Sequence, residues 1–226
     1  MIVELPPIIT IDGPTASGKG TIARIISNKL GWLLLDSGSI YRALAFAIIN
    51  SDISVSDFDS IETLASNLEI SINDGNVYLG GFDISEKIRT EEISRVSSVI
   101  ASDYNVRKIL LDKQRSLLSY PGLVADGRDM GTIVFPYAAL KIFLTADISI
   151  RAQRRYNQLI NKGNVVNITS IMDNIRERDE RDADRLYSPL IPASDAHILD
   201  NSVLDIEQTL SIILDLYKYK FGPSYN

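Results

Sequence analysis

The chain has 226 residues, 45% of them hydrophobic and 23% charged, with a formal net charge of −6. That composition excludes a disordered polypeptide, and an acidic chain is poorly suited to gripping duplex DNA or an anionic membrane through its overall field. With no cysteine and a single histidine, His197, disulfides, thiolate catalysis, iron–sulfur clusters and two-imidazole metal sites are excluded.

The first segment, Met-Ile-Val-Glu-Leu-Pro-Pro, has no basic region and is broken by Glu4, Pro6 and Pro7, unlike a signal peptide. Ile8 to Ile11 reads as a buried strand. Thr21 to Leu30 then carries Ile22, Ile25, Ile26 and Leu30 at helical spacing and stops at Gly31. Trp32 to Leu35, Leu123 to Ala125 and Ile142 to Leu144 are further continuous apolar runs, read as fully buried strands, with Ile198-Leu199 a weaker fifth. Helical patterns cover Ile40 to Ile49, Val106 to Leu118, Ile148 to Ile160, Ile171 to Arg185 and Ile206 to Tyr219. The longest uninterrupted apolar run, Ala43 to Ile49, has seven residues, against about 20 for a membrane span. Such strand–helix alternation predicts an α/β doubly wound parallel sheet. Between the second and third of these strands, Leu68, Ile70 and Ile72 alternate with polar residues. Asn73-Asp74-Gly75-Asn76 then signals a hairpin returning through Val77 to Leu79. We therefore expect one domain over residues 1–226, with a small antiparallel insertion at about 52–104. The terminal Gly222 to Asn226 is expected to fray, and His197 to be structural.

The first strand runs into Asp12-Gly13-Pro14-Thr15-Ala16-Ser17-Gly18-Lys19-Gly20-Thr21, and a helix follows. Glycines let backbone N–H groups turn inward around phosphates, the helix N-terminus adds its dipole, and a lysine reaches the outer phosphate oxygens. This is a nucleoside-triphosphate loop. Its departure from the strict pattern, Gly20 where Ser or Thr would follow the lysine, resembles the variant in nucleoside monophosphate kinases. The GTPase-switch sequences Asp-x-x-Gly and Asn-Lys-x-Asp are both absent.

Two more strand ends carry polar clusters. Asp36-Ser37-Gly38-Ser39-Ile40-Tyr41-Arg42 offers a hydroxyl and an arginine suited to a phosphate. The alternative is a helix cap, with Ser37 or Ser39 on the free amides. Asp126-Gly127-Arg128-Asp129 places two carboxylates and an arginine at the third strand's end, where ligands sit in open α/β sheets. Arg151, Arg154 and Arg155 lie on one predicted helix and Arg176, Arg178, Arg181 and Arg185 on the next. Arg178, Arg181 and Arg185 share one face, with Asp182 beside them. These read either as a solvated face laced with ion pairs or as clamps for phosphates. Lys162-Gly163-Asn164 would be the tip of a closing lid at about 151–185, the two cationic clusters meeting only around bound anions.

Together, Gly-Pro-x-x-x-Gly-Lys-Gly-Thr, Leu-Asp-Ser-Gly-Ser-Ile-Tyr-Arg, Ala-Asp-Gly-Arg-Asp-Met-Gly-Thr and Arg-Asp-x-Arg-Asp followed by Pro-Leu-x-Pro-Ala-x-Asp-Ala resemble the bacterial cytidylate kinases. The resemblance covers about Ile8 to Leu210. It implies transfer of the ATP γ-phosphoryl group to CMP and dCMP, with Mg²⁺ accompanying ATP; the lack of a signal-peptide pattern and of a membrane-length apolar run reads as a cytoplasmic chain. It implies ATP phosphates on Gly13, Pro14, Thr15, Ala16, Ser17, Gly18, Lys19, Gly20 and Thr21, with Thr21 the candidate metal ligand, directly or through water. Ser37, Arg42 and Arg128 would take the CMP phosphate; Ser98, Arg107 and Asp129 the cytosine; Arg178 and Asp182 the ribose; Arg185 the nucleotide generally. Arg151 and Arg155 would be lid arginines. With Lys19, Arg128, Arg178 and Arg185, they form the candidate catalytic set. The partners expected are small molecules alone, with no nucleic acid or membrane, and the chain is expected to be a monomer. Competing readings are a loop-containing kinase for UMP, AMP or shikimate, or an ATP-dependent switch protein.

Overall fold

The computed structural model describes residues 5–73 and 75–222. Residues 223–226, most of the tail expected to fray, and Asp74 of the hairpin turn lie outside them.

Ile8–Asp12 forms β1, and helix α1, Lys19–Leu30, follows directly from the loop. After β2, Leu33–Asp36, helix α2 covers Ser37–Asn50. Its cap is Asp36, whose carboxylate accepts from the Ser39 N–H at 3.1 Å, rather than Ser37 or Ser39. The following segment holds α3, Phe58–Ser66, then strands β3, Ile70–Asn73, β4, Asn76–Leu79, and β5, Phe82–Asp83, then α4, Glu91–Ile100. Helix α5, Tyr104–Arg115, leads back to β6, Leu123–Gly127. A single π turn, Met130–Val134, precedes β7, Leu140–Thr145. Helices α6, Ile148–Ile160, and α7, Ile168–Ala183, come next, followed by β8, His197–Asp200, and α8, Ile206–Phe221.

The fold is α/β: β2-β6-β1-β7-β8 form a five-stranded sheet, parallel at every junction, and β3-β4-β5 a small antiparallel one. The chain leaves β1 toward β2 and leaves β6 toward β7, in opposite directions along the sheet. A crevice therefore opens where the C-terminal ends of β1 and β6 lie side by side. Strand alternation sends Ile9, Ile11, Val124, Ile142 and Leu144 to one face, against α1 and α8 through Ile22, Ile26, Leu210 and Ile213. Ile8, Leu35, Leu123 and Ala125 face the other way, onto Ile40, Leu44, Ile61, Val106 and Leu110 of α2, α3 and α5. A smaller cluster of Ala152, Ile171 and Ile175 joins α6 to α7.

Three expectations need correction. Strand β2 is not fully buried: Leu33 is 44% exposed, because β2 ends the sheet and has no neighbour on one side. The segment read as antiparallel also contains α3 and α4, short helices capped by Asp57 and Thr90. Helix α7 ends at Ala183, so Arg185 lies beyond it rather than on its face. His197 opens edge strand β8, exposed and at the end of the sheet opposite the crevice. Among the described residues, no helix is long and apolar enough to cross a membrane.

Candidate active site

The loop between β1 and α1 is shaped by backbone contacts. A Cβ on Gly13, whose φ is +151°, would stand 2.0 Å from the Leu144 carbonyl oxygen, so only glycine lets the loop pass β7. Gly18 caps α1 in the left-handed region and leaves the first-turn N–H groups facing the crevice. Lys19 is buried, its Nζ donating to the Pro14 carbonyl at 3.1 Å across the loop. Burial, then the neighbouring Arg128 guanidinium, lowers the Lys19 ammonium well below the usual lysine range. The departure at Gly20 has a steric account: a Cβ there would stand 3.0 Å from Asp126 Oδ2. Thr21 is exposed on the first turn.

Carboxylates crowd the strand ends. Asp12 accepts from the N–H groups of Met130 and Gly131 at 2.8 and 2.7 Å, fixing the turn that carries Arg128 and Asp129. Its burial raises its pKa from 3.8 to about 7 against the pull of those two bonds. Asp126 is raised chiefly by burial as well, and its Oδ1 is buried without a hydrogen-bond partner among the described residues. Asp36 differs. Burial raises it, but Arg42, 2.7 Å away, and the Ser39 N–H bring it below the ordinary carboxylate range.

Beside the loop lies a second cationic group, drawn from distant segments. Arg128 donates from Nε to Asp182 at 2.8 Å and from a terminal nitrogen to Thr15 Oγ1 at 2.9 Å. Asp182, 1% exposed, also pairs with Arg185. Burial pushes Asp182 up, but Arg128, Arg185 and Arg178 together hold it below its usual value. Arg107 pairs with Asp129, donates to the Ala101 carbonyl at 3.0 Å and lies 5.7 Å from the centre of the Tyr41 ring. Ser37 is buried and donates to Gln114 Oε1 at 2.7 Å. Among the described residues, the buried Nε groups of Arg42, Arg178 and Arg185 have no partner. These are donors available to an anion.

The two arginine helices close over both groups. Arg151 donates to the Thr15 carbonyl at 3.1 Å and pairs with Asp179, whose other oxygen accepts from the Thr15 N–H at 3.2 Å. Arg178 and Arg181 donate to Ser94 Oγ and Ser98 Oγ of α4, each at 2.9 Å. The α6–α7 segment and the segment bearing α4 thus meet through arginine–serine contacts. Arg155 lies apart from the loop, on Glu91 and Gln158. It is Arg154 that reaches the loop, donating to the Ser17 carbonyl at 3.2 Å and to Asn201 Oδ1 at 3.0 Å.

Asp126, Arg154 and Arg181, read from the sequence as ligand-side or clamp residues without a particular role, take part here, and Asp12, Gln114, Asp179 and Asn201 were missed as site residues. Asp12 and Asp179 sit inside the quoted motifs, where position alone could have flagged them. Gln114 and Asn201 carry no local signal, since a distant segment brings each to its partner.

The sequence model of the cytidylate kinase family matches residues 9–219. Proteins named cytidylate kinase from Bordetella bronchiseptica, Paraburkholderia phymatum and Shewanella putrefaciens are 50%, 48% and 48% identical to the chain. The matches cover 94%, 94% and 98% of this chain and 95%, 93% and 99% of those proteins. A triphosphate loop, a second cationic site across one crevice and these matches over nearly the whole length agree: the chain belongs to the cytidylate kinase family.

Proposed function

We propose that the chain transfers the γ-phosphoryl group of ATP to CMP, giving ADP and CDP, and uses dCMP in the same way. The observation that carries this reading is the pairing of two anion-binding groups at one sheet edge: the loop from Gly13 to Thr21, and the cluster of Arg107, Arg128, Arg178 and Arg185 around Asp129 and Asp182, with Arg42 on Asp36. A switch protein needs the first group alone. Kinship with proteins named cytidylate kinase selects CMP among small acceptors.

The acceptor phosphate needs no general base, because its second ionisation lies near pH 6 and it is already dianionic at neutral pH. The protein's task is to align it with ATP and to place positive charge on the transferring oxygens. Lys19 and Arg151 serve the ATP side. Arg128, bonded to both Thr15 and Asp182, stands between the two sites. A triphosphate beside Lys19 restores the ammonium charge that burial weakens. Ser37, Arg42 and Arg128 take the CMP phosphate, Ser98, Arg107 and Asp129 the base, Arg178 and Asp182 the ribose, and Arg185 the nucleotide. The α6–α7 segment acts as the lid, with Arg155 on its outer side, and residues 52–104 enlarge the monophosphate site.

Mg²⁺ fits this arrangement. Buried Asp126 Oδ1 lacks a partner and its carboxylate adjoins Gly20, a hard oxygen of the kind this ion takes. Among the described residues no group of three or more acidic, histidine or cysteine side chains could cage a metal. Asp126 and Thr21 would help to hold the ion that accompanies ATP. Its contribution when bound is charge neutralisation on the phosphates. The cysteine-free chain suits the cytoplasm, where we expect it to act as a monomer.

The test is ADP release measured across CMP, dCMP, UMP, AMP, GMP and shikimate with Mg²⁺-ATP. CMP and dCMP should dominate; preference for any other acceptor contradicts the reading.

A further inference from the structure

The α7 carboxylates Asp179 and Asp182 lie one turn apart and occupy different surroundings. Asp182 is 1% exposed and fixed between Arg128 and Arg185. The Asp179 side chain is 21% exposed and reaches the phosphate loop. One of its oxygens accepts from the Thr15 N–H at 3.2 Å, the other from Arg151, which itself donates to the Thr15 carbonyl at 3.1 Å. A loop N–H and an arginine on two oxygens of one anion is the arrangement that a phosphate edge also satisfies.

We propose that Asp179 is a built-in competitor at the phosphate loop: its carboxylate occupies the Thr15 N–H and Arg151 and gives them up to ATP. This rests on the reading that the loop takes ATP. A carboxylate and a triphosphate cannot share one N–H and one guanidinium, and their like charges repel in a site screened from water. Arrival of the triphosphate therefore displaces Asp179. Its exposure leaves a route to solvent, whereas Asp182 has none. The carboxylate thus makes ATP compete for the loop.

Calorimetric titration of the full chain with a non-hydrolysable ATP analogue and Mg²⁺, without CMP, tests this. Asp179→Asn keeps an acceptor for the Thr15 N–H but loses the competing charge, and Asp179→Ser removes both. Each should bind the analogue about tenfold more tightly, the lower end of what a hydrogen bond to a charged group contributes. Glu180→Gln removes the same charge from the adjacent exposed position and should leave affinity unchanged. Unchanged or weaker binding in both Asp179 variants would overturn the proposal. Equal tightening in Glu180→Gln would do the same, because net charge would then account for the effect. Failure of every form to bind overturns it together with the ATP reading. Analogue binding reports on Asp179 whichever acceptor the chain phosphorylates, so a wrong acceptor assignment would leave this result standing.

Discussion

The phosphate loop and the arginine cluster face each other across one crevice and hold positive charge out of water by opposite means. The loop is local. Nine consecutive residues make it, glycine backbone lines it, and its lysine rests on a carbonyl of the same loop. The cluster is assembled from α5, α7 and the chain just beyond β6 and α7, and Arg107 and Arg128 rest on carboxylates from distant segments. The difference shows where each region is vulnerable. A backbone-built site fails when the chain cannot follow its path, and a side-chain-built site fails when a partner is removed and a buried charge is left alone.

The largest expected effect lies in the loop. Lys19→Ala should fold and lose turnover by about a thousandfold, the value of a well-placed cation on a transferring phosphoryl group. Near-normal steady-state turnover in the folded variant would remove Lys19 from the chemistry. Gly13→Ala attacks the path of the same loop. With a Cβ 2.0 Å from Leu144 O and φ at +151°, it should destabilise the chain by about 3 kcal/mol, read as a lowered urea midpoint. A midpoint unchanged from the wild type would show that the loop can relax there.

The cluster should respond in selectivity as well as in the stability lost when a buried arginine is stranded. Cytosine offers an amino donor where uracil offers an oxygen, so a carboxylate at that edge favours the first. Asp129→Ala should reduce kcat/KM for CMP more than for UMP, narrowing the preference by about 1–3 kcal/mol. Equal losses for both would make Asp129 a support for Arg107, with which it pairs, rather than a reader of the base.

The smallest effect concerns Asp12, which joins the two regions by holding the Met130 and Gly131 N–H groups. Burial raises its pKa from 3.8 to about 7, with Asp129 and Asp126 adding to the rise. Between those values the folded chain binds more protons at this site than the unfolded one, so its contribution to stability falls as pH rises from about 4 to about 7. The unfolding free energy of wild type minus that of Asp12→Asn should fall across that window. A flat difference would show that Asp12 does not titrate there.

Legibility in the sequence follows the same division. Ile8 to Thr21 is readable because strand, turn and helix are consecutive and each glycine answers a local need. The parallel strands are readable because helices on both faces leave their apolar runs unbroken. The partly open β2 is the exception, since nothing local says that a run lies at an edge. Helix α4 carries its own signals, with Thr90 as cap and Ile93, Val96 and Ile100 buried on one face. Its short apolar stripe was obscured by the hairpin pattern before it. The cluster was readable as a set of arginines and not as a set of pairs. Arg178 and Asp182, four apart, suggest a mutual bond, yet Asp182 bonds to Arg128 and Arg185 while Arg178 donates to Ser94. Those pairings span 54 and 84 residues in the first and last cases, and tertiary packing alone decides them.

The central claim is that the two regions bind two different nucleotides, and separate titrations of two variants test it most directly. Arg107 contacts Asp129, the Ala101 carbonyl and Tyr41, so Arg107→Ala disturbs the cluster without touching the loop. Titrated separately with CMP and with a non-hydrolysable ATP analogue plus Mg²⁺, Lys19→Ala should lose the analogue and keep CMP, whereas Arg107→Ala should lose CMP and keep the analogue. Loss of both ligands in each variant, or loss of CMP from Lys19→Ala alone, would contradict the division of labour.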